Sequence, residues 1–144
     1  MSTLKRIFLS ISILIILLLS ECDIDNRITD NRINCAGAIC TEEFRSIVVT
    51  LKHSSDSTAY ILTVYKVIRI YDKLDITPND DNLTDNNGYY PITNDLKLEL
   101  FKFKNVEVEF SGYLNNALVI QSRFIITGDC CHISLVEGDT KFYI

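Results

Sequence analysis

The sequence has no run of lysine or arginine, and its 14 basic residues are outnumbered by 19 acidic ones, for a formal net charge of −5. Nucleic-acid binding needs concentrated positive charge to neutralise phosphates, so that class of partner is excluded. Catalytic signatures are missing too. There is no G-x-S-x-G, no P-loop and no His-Glu-x-x-His, so nothing points to a serine hydrolase, a nucleotide binder or a zinc peptidase by motif. No internal repeat occurs, and after the first twenty residues no segment sustains a helical period with caps, which argues against a helical domain. Glycine (5) and proline (2) are scarce, so Pro78, Gly88 and Gly138 read as punctuation between ordered segments. The chain calls for no cofactor and for no enzymatic activity.

Long apolar runs are also rare, and the one that exists opens the chain. Lys5 and Arg6 precede Ile7–Leu19, an uncharged apolar stretch closed by Glu21 and Asp23. A short basic region followed by about 7–15 apolar residues is the pattern of a secretory signal peptide. A spanning helix would need about 20 apolar residues, so an uncleaved anchor is the alternative. Leu19-Ser20-Glu21-Cys22 resembles a bacterial lipobox, with Glu21 where a small residue usually stands. The resemblance implies cleavage after residue 21, acylation of Cys22, and attachment to a membrane without a spanning helix. The rival cleavage site is Ala36-Gly37-Ala38, well beyond the apolar run. Residues 22–34 are rich in Asp, Asn and Arg, too polar to bury much surface, and read as a flexible tether. Residues 35–144 are then left as one domain.

That domain reads as all-β. Ile47, Val49 and Leu51 alternate with polar neighbours, as in a strand buried on one side. His53–Ser57 is a polar turn. Ala59–Tyr71 is dense in β-branched and aromatic residues, either a central strand or a long one bending between two sheets. Leu96, Leu98 and Leu100 alternate with charged residues, with phase shifts at Phe101/Phe103 and again at Val106/Val108/Phe110, each expected to be a bulge or turn. Asn115-Asn116 separates two apolar arms as a tight hairpin. Ile133/Leu135 and Phe142/Ile144 suggest a last hairpin around Glu137-Gly138-Asp139. Short strands with frequent turns imply a single antiparallel β-sandwich.

The Ile47–Lys52 strand, the polar turn after it and the later Phe110-Ser111-Gly112-Tyr113 hairpin arm are similar to the prealbumin-like (Ig-like in architecture), carboxypeptidase-regulatory-like sandwich. The tether followed by Cys40–Ile47 and "DCCHISL" near the end also resembles small bacterial envelope lipoproteins. These resemblances imply a non-catalytic module that binds envelope protein or glycan through loops such as 75–90.

Four cysteines lie beyond Cys22: Cys35, Cys40, Cys130 and Cys131. Four allow three pairings, and an exported chain favours disulfides over thiols. Adjacent strand residues face opposite ways, so Cys130 and Cys131 could each take a partner from Cys35 and Cys40. A vicinal Cys130–Cys131 bond and a metal- or thiol-dependent centre of Cys35, Cys40, Cys130, Cys131 and His132 remain alternatives. His132 reads as structural. Asp80, Asp81 and Asp85 read as a solvated acidic loop rather than a calcium site. Asn82-Leu83-Thr84 matches a glycosylation sequon of no consequence in a bacterial host. Glu42-Glu43 and Glu107/Glu109 read as exposed acids rather than paired catalytic carboxylates.

Overall fold

The first strand, β1 (Ser46–Lys52), buries Ile47, Val49 and Leu51 and turns Thr50 and Lys52 outward, as its alternation requires. The structure is a computed structural model, and it describes residues 35–78 and 87–144. The apolar leader, Cys22, the tether and the Asp80–Asp85 stretch lie outside the described residues. β1 is the middle of a three-stranded sheet ordered β3–β1–β7. β3 (Tyr89–Asn94) pairs with it antiparallel, with a bulge that leaves Ile92 without a register partner between Pro91 and Thr93. Pro91 is tolerated because β3 is an edge strand, where a missing N–H costs no ladder bond. β7 (Lys141–Tyr143) pairs with β1 in parallel.

The second sheet is ordered β2–β4–β5–β6 and is antiparallel throughout. Its strands are β2 (Val64–Arg69), β4 (Val106–Leu114), β5 (Ala117–Gly128) and β6 (Ile133–Glu137). The free edge of β2 is covered by the returning chain: Arg69 N–H donates to Leu74 O, Ile76 N–H to Val67 O, and Val67 N–H to Thr77 Oγ1. Such cover removes the unpaired row that would invite strand addition. The two sheets enclose one core in which Leu51, Phe101, Phe110, Phe124, Ile126 and Ile133 are fully buried. Tyr90 ties the layers together. Its hydroxyl accepts from Leu62 N–H at 2.7 Å and donates to Tyr60 O at 3.0 Å, while its ring meets Tyr65 edge-on. The protein is therefore an all-β, two-sheet sandwich.

The β4–β5 hairpin turns on Asn115 (φ 51°) and Asn116 (φ 67°). Two consecutive left-handed residues match the right-handed twist of the arms, and asparagine tolerates that region. Asn116→Val is expected to lower stability by about 1–2 kcal/mol, the left-handed penalty for a residue with a Cβ branch, and Asn116→Gly to leave it nearly unchanged. Urea unfolding midpoints of the two variants check this.

Three segments depart from the alternation. Asp95–Leu100 is a 3₁₀ segment, not a strand. Asn94 Oδ1 accepts from Leu96 N–H and starts the turn, and Leu96 is left 84% exposed. The leucine alternation loses to a local cap and to Phe101, which plugs the core at the end of the segment. Ala59–Tyr71 is not one strand: Ala59 bridges to Lys52 of β1, and only Val64–Arg69 joins the other sheet, at its edge. The last two strands are not a hairpin. At Gly138 (φ 122°) the chain leaves the four-stranded sheet and crosses to β1. A Cβ there would stand 2.6 Å from Phe124 Cδ1 and 2.9 Å from Arg123 O, so only glycine fits. The crossover makes β7 parallel to β1, so the named strands are antiparallel in every pair but that one.

Candidate functional site

Cys130 and Cys131 lie in a turn between β5 and β6 rather than in a strand. Asp129 builds it: its Oδ1 accepts from Cys131 N–H at 2.7 Å and His132 N–H at 2.8 Å, and its own N–H donates to His132 O. A short carboxylate bonding the backbone two and three residues on is a turn-forming device. Those two N–H groups also hold the Asp129 carboxyl below its ordinary range. The expected pairing of the four cysteines holds, but a turn replaces the two faces of a strand as its cause. Cys35 joins Cys130 with Cα atoms 5.5 Å apart, and Cys40 joins Cys131 at 5.3 Å. The four sulfurs bond one another, which removes the vicinal bond and leaves no thiolate among them to ligate a metal. Among the described residues no group of three His, Cys, Asp or Glu is placed to hold a metal ion.

His132 sits directly behind these bonds and is buried. Its Nδ1 donates to Asp95 Oδ2 at 2.8 Å, and its Nε2 lies 3.0 Å from Thr41 Oγ1. Asp95 Oδ2 also accepts from Arg45 N–H, and Oδ1 from Ile133 N–H, at 2.8 and 2.9 Å. Burial alone would raise the Asp95 pKa. The bonds from the His132 ring and from the Arg45 and Ile133 backbone outweigh it and lower the pKa. An ionised Asp95 is acceptor-only, which places a proton on Nδ1 of His132.

The sequence Thr41–His132–Asp95 has the order of a nucleophile, base and orienting acid. Acyl transfer also needs N–H donors aimed at the developing oxyanion, and the two adjacent in the turn, those of Cys131 and His132, already donate to Asp129. The cluster is a clamp. It joins the segment before β1, the start of the 3₁₀ segment and the β5–β6 turn, beside two covalent cross-links.

A second feature lies on the outer face of the three-stranded sheet. Tyr89, Thr50 and Lys141 stand in one row across β3, β1 and β7, and Lys52 and Tyr143 stand in the next. These residues, with Phe142, line a depression on that face. Tyr89 and Tyr143 are 50% and 61% exposed.

The acidic candidates form no catalytic pair. Glu107 and Glu109 both face Arg123 of the neighbouring strand, at 3.2 and 3.5 Å, and Glu43 pairs with Arg45. Asp75 accepts from the backbone and hydroxyl of Thr77. Two participants escaped sequence reasoning: Asp95, hidden in the leucine alternation, and Thr41, in a stretch with no period. The only local hint was the Asn-Asp pair at 94–95, a helix-start signal.

No family model, no curated protein and no solved structure matches this chain. The disulfides point to an oxidising, exported environment. No helix among the described residues is long and apolar enough to cross a membrane.

Proposed function

We propose that the protein is an exported, non-catalytic binding module of the bacterial cell envelope, held at a membrane by lipid on Cys22. The observation that carries this is the position of the cross-links. The chain enters the described domain at Cys35, and Cys35 and Cys40 are both bonded to the β5–β6 turn ahead of the first strand. Tension arriving through residues 22–34 meets two covalent bonds before it meets any hydrogen-bonded strand, as suits a domain displayed on a tether. The leader and the lipobox-like Leu19–Cys22 support the same reading. Each buried CH₂ of an acyl chain contributes about 0.8 kcal/mol, so several chains on one cysteine anchor the domain stably.

In a bacterial host, the full-length protein is expected to partition with membranes, with an intact mass showing loss of residues 1–21 and added acyl groups. Cys22→Ser is expected to release it to the soluble envelope fraction or leave an unprocessed, unacylated precursor. A wild-type protein recovered without acyl mass would overturn the anchoring.

A further inference from the structure

We infer that the outer face of the β3–β1–β7 sheet binds an acidic polysaccharide. The face combines two features that glycans use and that most of this protein lacks. The first is charge. The chain is net −5, yet this depression is lined by Lys52 and Lys141, and among the described residues no carboxylate lines it. Among the described residues Lys52 and Lys141 form no ion pair, so both ammonium groups are open to an anion, whereas Arg45, Arg69, Lys102 and Arg123 are held by acids. A positive spot on an acidic surface favours an anionic partner.

The second feature is the tyrosines. Tyr89 and Tyr143 are both large and exposed, and they bracket the lysines from opposite outer strands. The register places them two strand spacings apart and two residues along, roughly 12 Å, a span suited to a few sugar units of an extended chain. Each ring offers an apolar surface for a sugar face and a hydroxyl for its edge. Thr50 adds a polar group between them.

The cross-linked segment at Cys35 and Cys40 precedes the start of β1, and the patch begins at Thr50 and Lys52, at the far end of that strand. Four residues of strand, Ser46–Val49, separate the two by roughly 13 Å. The patch therefore lies at the end of β1 away from the cross-linked segment. The inference extends the reading of the protein as an envelope binding module but does not depend on acylation, and its test uses a chain that cannot be acylated.

The test is affinity electrophoresis and calorimetry with the exported full-length chain carrying Cys22→Ser. The probes are polygalacturonate, neutral dextran, poly-glutamate and vesicles with anionic headgroups. Polygalacturonate is expected to retard the protein, and dextran is not. Binding should weaken as salt is raised. Lys52→Glu with Lys141→Glu should weaken it at least tenfold, and Tyr89→Ala with Tyr143→Ala should weaken it several-fold at unchanged net charge. Circular dichroism confirms that both variants fold, since all four side chains are on the outer face. No binding to polygalacturonate, binding insensitive to both variants, equal binding to poly-glutamate, or preference for the vesicles would each overturn the inference. Failure of wild-type acylation in the host would leave this result standing.

Discussion

Deleting either disulfide alone is expected to cost about 2 kcal/mol, and deleting both about 7 kcal/mol, by the chain-entropy cost of loop closure. The two bonds close loops of nearly the same span, with sequence separations of 95 and 91. A loop of that size contributes about 4–5 kcal/mol when first closed. Once one bond exists, the other only tightens a small ring that runs through Cys35–Cys40 and Cys130–Cys131, and its added contribution is about 2 kcal/mol. Each bond therefore covers for the other. Domains of this size are stable by about 5–15 kcal/mol, so the doubly reduced chain should lie close to unfolding at 37 °C. Urea unfolding of the Cys35→Ala/Cys130→Ala pair, the Cys40→Ala/Cys131→Ala pair and the quadruple variant measures the cycle. Strict additivity of the two pairs would contradict it.

Asp95→Ala is expected to cost about 2–4 kcal/mol, since each buried donor left without its acceptor costs about 1–3 kcal/mol. The substitution strands His132 without its Nδ1 acceptor and leaves the Arg45 and Ile133 N–H groups unpaired. Asp95→Asn keeps an acceptor and should cost less. The same contacts give a pH dependence. Asp95 and Asp129 both have folded-state pKa values below the ordinary carboxylate value of about 3.8. For a depressed carboxylate the unfolded chain binds the proton more readily, so stability rises with pH through that range. The contribution is fully present well above 3.8 and is lost as pH falls through the lower folded-state values. Denaturation curves from pH 2 to 6 should show this decline, and Asp95→Asn should make it shallower. An unchanged profile in the variant would show that the carboxylate is not the linked group.

Local patterns that need only nearest neighbours were legible in advance. β1 follows from the Ile47/Val49/Leu51 alternation, since period-two patterning states which side of a strand is apolar. The Asn115-Asn116 hairpin follows because few residues accept two successive left-handed conformations. The pairing of Cys35 and Cys40 with Cys130 and Cys131 followed from the number of cysteines and the leader, though its order did not. The 3₁₀ segment was missed because Leu96, Leu98 and Leu100 carry a strand's alternation, and the competing signals, the Asn94 cap and the Asp95 carboxylate, act through single hydrogen bonds that leave no period. The β7 crossover was missed because Glu137-Gly138-Asp139 looks like a hairpin turn. Only contact with Phe124 and Arg123 reveals that Gly138 is there for lack of space.

The sequence by itself determined that the domain is all-β and that its sulfur atoms pair. These properties rest on composition and short-range patterning, which are written along the chain. The tertiary structure alone decided that Asp95 meets His132, 37 residues away, and that Tyr89, Lys52, Lys141 and Tyr143 share one face. Those meetings depend on which strands become neighbours and in which direction they run, and that is settled by the packing of the two sheets around a common core.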